Sequence, residues 1–159
     1  MTTILNIAAY HFVEVSSPQQ VAQALHARGT ALELKGTILV SHEGLNCFLA
    51  GKEEKVRAML EALRALEGFK NLGVKESWSD TVPFKRFKVK VKKEIIRMDH
   101  PTIQPANTRA PAVSPDTLKR WLDQGHDDAG RPVVMLDARN DFEVDQGRFA
   151  NAIDWRIAK

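Results

Sequence analysis

Apolar residues crowd the start of the chain, where Ile4, Leu5, Ile7, Ala8, Ala9, Tyr10 and Phe12 form a short run of strand formers. The run ends before Ser16-Ser17-Pro18, a helix-start signal. From Pro18 the apolar positions Val21, Ala22 and Leu25 keep helical spacing, and Gly29 supplies an expected stop. Thr37 to Val40 predicts a strand, Ser41-His42-Glu43-Gly44 a turn, and Leu45 to Ala50 a second strand, so this segment reads as a hairpin bent at Gly44. The strongest helical pattern follows Gly51. There Val56, Met59, Leu60, Leu63 and Leu66 form one apolar stripe, charged residues fill the other side, and Gly68 is the expected end. Two further strands are expected, Val74 to Trp78 and a long one from Phe87 to Met98.

Strand, helix, strand, strand, helix, strand is the order of a split βαβ, ferredoxin-like α+β fold, with two helices on one face of an antiparallel sheet. In the last strand Phe87, Val89 and Val91 alternate with Lys88, Lys90 and Lys92, so one set should pack on the core and the other should face water. The four prolines from Pro101 to Pro115 then break all periodicity. A helix should start at Ser114-Pro115-Asp116 and close at Gly125, followed by a buried strand of the parallel kind, Val133 to Asp137. These signals predict a ferredoxin-like domain over 1–100, a linker over 101–113, and over 114–159 the incomplete start of a second, α/β domain.

Composition narrows the class. With 159 residues, 43% apolar and 27% charged, the chain is expected to be globular; a lone cysteine, Cys47, excludes a disulfide scaffold. No apolar run is long enough to cross a bilayer, and Met-Thr-Thr-Ile lacks a basic leader, so no membrane role and a cytoplasmic location are expected. Charge is uneven. Residues 1–100 carry 15 basic and 11 acidic side chains, whereas 101–159 carry 8 and 9. Lys85, Arg86, Lys88, Lys90, Lys92, Lys93 and Arg97 stand against one acid, Glu94, a local net charge of +6. Such a patch predicts a polyanionic partner, most simply RNA; solvated lysines guarding an edge strand are the competing explanation. Phe84 and Trp78 are the candidates for base stacking near it.

Candidate chemistry is sparse. Cys47 shares a strand face with Leu45 and Leu49, which makes it a small core residue rather than a nucleophile. His42 beside Glu43 has the chemistry for proton transfer, but a lone turn histidine is more often merely solvated, and that is the expectation here. His11, His26, His100 and His126 show no ligand spacing, so no metal is expected, and no phosphate-binding glycine loop or cofactor motif is evident.

Asp137-Ala138-Arg139-Asn140-Asp141-Phe142-Glu143, with Gly147 to Ile153 behind it, resembles the opening signature of rhodanese-like domains, and an Arg139–Glu143 ion pair is expected to order its loop. Gly36 to Val40, then Glu43-Gly44-Leu45-Asn46 and Ala50-Gly51, followed by the basic strand and this rhodanese opening, is similar to the tRNA uridine hydroxylase family. That family pairs a ferredoxin-like, acylphosphatase-like amino-terminal domain with a rhodanese domain. Where its pattern has Glu-Gly-Ile-Asn-Gly, this chain has Cys47 at the last position. The resemblance singles out Glu43, Gly44, Asn46, Asp137, Arg139 and Glu143 as motif residues. It implies oxygen-dependent hydroxylation of the wobble uridine of tRNA, with molecular oxygen as co-substrate and tRNA as partner. It also places the reactive rhodanese cysteine beyond Lys159, leaving no catalytic residue in this chain. Rhodanese-type sulfur transfer and a non-enzymatic RNA-binding module are the alternatives; the oligomeric state is not legible.

Overall fold

A computed structural model of the chain describes residues 3–95, 102 and 110–158. It divides into two compact units, Met1–Arg109 and Ala110–Lys159. Among the described residues the first unit runs β1 (Ile4–Phe12), α1 (Pro18–Ala31), β2 (Lys35–Ser41), β3 (Gly44–Lys52), α2 (Glu53–Arg64), β4 (Lys75–Ser79) and β5 (Phe87–Val91). The strands form one sheet in the order β4-β1-β3-β2-β5. Neighbours among the first four in this order are antiparallel, as in a split βαβ, and β5 adds a fifth strand parallel to β2.

Both helices lie against one face of the sheet. Leu5, Ile7 and Ala9 of β1, Ile38 and Val40 of β2, and Leu45, Cys47 and Leu49 of β3 form a core with Leu25 of α1 and Val56, Met59 and Leu63 of α2. The period-2 pattern of the strands and the 3.6-residue stripe of α2 therefore meet on the same surface. The fold is the expected ferredoxin-like α+β arrangement.

Several local expectations need correction. Gly29 does not stop α1, which continues to Ala31 and ends with Leu32 as its cap and Glu33 in the left-handed region at φ 54°. Gly29 instead makes room for Phe87: a Cβ there would sit 2.2 Å from Phe87 Cζ. α2 ends at Arg64, before Leu66, and Gly68 lies in the turn that follows. β5 stops at Val91 and does not reach Lys92, although the Lys92 N–H still donates to the Val40 carbonyl at 2.8 Å; the expected continuation to Met98 lies partly outside the described residues. Phe87 and Val89 pack against the core, whereas Val91 is 41% exposed although its register partner Val40 is a buried core residue. The expected linker, residues 101–113, falls largely outside the described residues.

In the second unit, α3 (Pro115–Gln124) forms as expected, with Ser114 Oγ accepting from the Thr117 N–H and Gly125 closing the helix at φ 79°. Next come β6 (Leu136–Asp137), α4 (Asp141–Asp145) and β7 (Ile153–Asp154), the two strands pairing in parallel. The strand expected over Val133 to Asp137 is only two residues long, and its apolar side chains are not buried: Leu136 is 42% and Val134 71% exposed, and only Asp137 is buried. A parallel strand is buried only when helices cover both its faces, and two short strands with two helices cannot do that. Val144 is the one buried apolar side chain among this unit's described residues.

Two outcomes follow from this packing. Gly29→Ala should destabilise the first unit by about 1–3 kcal/mol in denaturant melts, because the new methyl group collides with the Phe87 ring, whereas Gly73→Ala, which would meet nothing within 4 Å, should stay within about 0.5 kcal/mol of wild type. Hydrogen exchange on the 159-residue chain should show β6 and β7 amides exchanging well before those of β1 and β3; equal protection of both sheets would contradict the account of a unit without a core of its own.

Candidate nucleic-acid interface

The sheet face opposite the helices is set by register. Ala8 pairs with Phe48 of β3 and with Lys75 of β4; Phe48 pairs with Thr37 of β2, and Thr37 with Lys88 of β5. One continuous row thus runs Lys75, Ala8, Phe48, Thr37, Lys88, all on the side away from the core. The next row runs Tyr10, Asn46, Leu39, Lys90. Phe48 is 49% and Tyr10 50% exposed, and Tyr10 meets Phe12 edge-on with ring centroids 6.1 Å apart.

Of the expected cationic residues, the structure brings Lys88 and Lys90 together on this face. Lys92 and Lys93 follow the strand, and Lys85 and Arg86 precede it in the connection, where the Arg86 carbonyl accepts from the Gly36 N–H at 2.9 Å. All six are exposed. Because β5 is an edge strand, the competing explanation of edge protection retains its geometric basis. Of the expected stacking residues, Trp78 is in register with Leu5, which turns its side chain to the helix side, although the residue also borders a shallow cavity beside Phe48. Phe84 borders the cationic face, in that same cavity. Tyr10 and Phe48 are not among the expected stacking residues. The signal that finds them is parity: Phe48 alternates with Cys47 and Leu49, and Tyr10 with Ala9, so each must point away from the core.

The motif around the hairpin holds the chain together. Gly44 has φ 140°, and a Cβ there would lie 2.0 Å from the His11 carbonyl oxygen, so only glycine lets β1 and β3 approach at the bend. The Glu43 carboxylate accepts the Ile95 N–H, and its own carbonyl accepts the Val13 N–H at 3.0 Å. His42 Nδ1 lies 3.0 Å from the Val15 carbonyl, which can only accept, so the ring donates there. Glu43 and His42 are thus engaged in tying the hairpin to the segments after β1 and β5. Asn46, half-buried, sits between Tyr10 and Leu39 on the open face.

Cys47 is fully buried between Ala9 and Ile38. Burial pushes its thiol up to about 12, against a weaker opposing hydrogen bond to the Ala9 backbone.

The second motif is arranged differently from expectation. Arg139 does not pair with the Glu143 carboxylate. Its Nη2 contacts Asp137 Oδ2 at 2.6 Å and donates to the Gly147 carbonyl at 2.8 Å. Glu143 sits at the third position of α4 and turns back to accept from the Asn140 backbone N–H at 3.1 Å and side-chain amide at 2.8 Å, so its carboxylate is occupied by the helix start. The Arg139 guanidinium holds the Asp137 carboxyl below the usual carboxylate range, and Asp137 raises Arg139 in return. The loop after β6 is therefore ordered by one bridge from Asp137 to Gly147.

Among the described residues no three His, Cys, Asp or Glu side chains group as metal ligands, and no helix is long and apolar enough to cross a membrane.

Residues 4–95 match the family model described as the UPF0176 acylphosphatase like domain. Over all 159 residues the chain is 58% identical to a tRNA uridine(34) hydroxylase of Delftia acidovorans and 58% identical to one of Variovorax paradoxus, covering 60% of each. It is 55% identical to that of Bordetella petrii, covering 63% of it. The chain thus spans about 60% of the length of these curated relatives. Solved structures with a similar course include the BLUF protein BlrB (TM-score 0.49, 12% identity, 57% of this chain and 74% of that one) and an acylphosphatase from Bacillus subtilis (TM-score 0.39, 14% identity, 55% and 98%).

The state of Cys47 is directly testable. With its thiol near 12 rather than the ordinary 9.0, the thiolate fraction at pH 8 falls about a thousandfold, so alkylation by iodoacetamide should be undetectable in the folded chain and rapid once it is unfolded. Rapid native labelling would place the thiol outside the core.

Proposed function

The chain belongs to the UPF0176 acylphosphatase-like domain family, and we propose that it is the RNA-holding part of a hydroxylase acting on the wobble uridine of tRNA. The observation that carries this reading is identity of 50–58% over nearly the whole chain to relatives named tRNA uridine(34) hydroxylase. In this reading the substrate is tRNA in the cytoplasm, molecular oxygen is the co-substrate, and the product is 5-hydroxyuridine. The first unit contributes electrostatic grip through Lys88, Lys90 and neighbouring cations, each phosphate contact releasing condensed counterions. Asp137 and Arg139 order a loop at the opening of the rhodanese-like part. A buried, protonated Cys47 supplies no nucleophile, so the reactive thiol is assigned to sequence that the relatives carry beyond the matched residues.

Nucleoside mass spectrometry tests the activity. Wobble 5-hydroxyuridine should vanish from the tRNA of a deletion strain and return with the natural gene. If it persists unchanged, hydroxylation is not the function, and thiosulfate turnover by the same protein would then favour sulfur transfer.

The grip is tested separately. Replacing Lys88, Lys90 and Lys92 with Ala should lower the log-log salt slope of tRNA binding by roughly 2 to 3, at ~0.7 to 0.9 per phosphate, and weaken different RNA sequences alike. An unchanged slope in a protein with an unchanged melting curve would leave these lysines as edge protection alone.

A further inference from the structure

We propose that the cavity beside Phe48 on the open sheet face receives an unpaired nucleobase, stacked on the Phe48 ring, with the adjoining backbone phosphates drawn to Lys75 and Lys88. This rests on the reading of the chain as a tRNA-binding one and adds which part of the RNA it holds, and how. The cavity has a volume of about 430 Å³, within the ~300–1,000 Å³ of small-ligand sites, and is lined among others by Asn6, Ala8, Phe48, Lys75, Ser77 and Phe84.

The row of residues across the sheet carries the inference. Phe48 is flanked on its own row by Ala8 and Thr37, side chains too small to cover the ring, and the row ends in a lysine at each side, Lys75 on β4 and Lys88 on β5. Four strand spacings of ~4.8 Å place those lysine positions about 19 Å apart, with the aromatic ring at the midpoint. Glu76 borders the cavity, but its register with Ile7 turns its carboxylate to the helix side, where it pairs with Arg57 of α2 and does not oppose an incoming phosphate.

A half-exposed aromatic between small neighbours, bracketed by cations, suits a base with its phosphates and not a protein segment. The apolar surface there is aromatic, the Phe48 ring with Phe84 beside it, and every nucleobase has a flat face to lay upon such a ring, with its charged backbone matched by the flanking lysines. The base must be unpaired, since in an A-form duplex both faces are already stacked and the major groove is too deep and narrow for side chains to enter.

The test measures the affinity of the 159-residue chain for two RNAs, a hairpin with the single-stranded loop of an anticodon arm and a fully paired duplex with the same number of phosphates. Phe48→Ala should weaken the loop RNA roughly ten- to a hundredfold while leaving the duplex and the salt slope unchanged. Phe48→Tyr should restore loop binding, and Phe48→Leu, which keeps apolar area but has no π face, should not. A Phe48→Ala chain that binds the loop RNA like wild type, or a Leu variant as good as Phe, overturns the stacking site while the lysine grip still stands. Loss of self-association in place of RNA affinity also overturns it, by making the face a protein interface. A wild-type chain that binds neither RNA overturns the tRNA reading itself.

Discussion

The seating of the Phe87 ring on the bare backbone of Gly29 controls where the candidate interface lies. Phe87 must face α1 to fill that space, and its strand then runs parallel to β2 with Val89 over the core. Once two residues of a strand face inward, period-2 geometry sends Lys88 and Lys90 to the other side without further choice. A slip of one residue would bury the lysines and expose the phenylalanine, so the same apolar contact that stabilises the sheet edge also orients its charge.

The hairpin of β2 and β3 plays the matching role at the centre of the sheet. Gly44 allows the strands to close, and Glu43 and His42 tie the bend to the backbone after β5 and β1 through hydrogen bonds that would otherwise be left to water. Residues that look like a reactive cluster on paper are thus occupied in holding two loops beside the sheet. They hold the bend at the start of β3, the strand that carries Asn46 and Phe48 on the open face.

The second unit is held by charge where the first is held by apolar packing. Asp137 with Arg139, Asp127 with Arg131, and Arg156 with Asp145 and Asp154 brace its loops, while Phe149, Trp155 and Ile153 remain exposed. Arg156–Asp145 is exposed on both sides, whereas the side chains of Asp127, Asp137 and Asp154 lie buried beneath exposed arginines, so these carboxylates depend on the partners that neutralise them.

Much of this was legible in the chain itself. The stripe of α2, the Ser114 and Gly125 ends of α3, the alternation in β5 and the bend at Gly44 depend on neighbours within a turn or two, and local sequence determines such features. Gly29, Arg139 and Phe48 were different. Gly29 looked like a helix stop because nothing nearby reveals that Phe87, 58 positions later, needs its missing side chain. Arg139 had two acids within reach, and the choice fell to Asp137 only because Glu143 was taken by the start of α4. Phe48 acquired meaning only when β1, β2, β4 and β5 lined up around it, since strand register joins residues far apart in sequence and a linear pattern records parity but not partners.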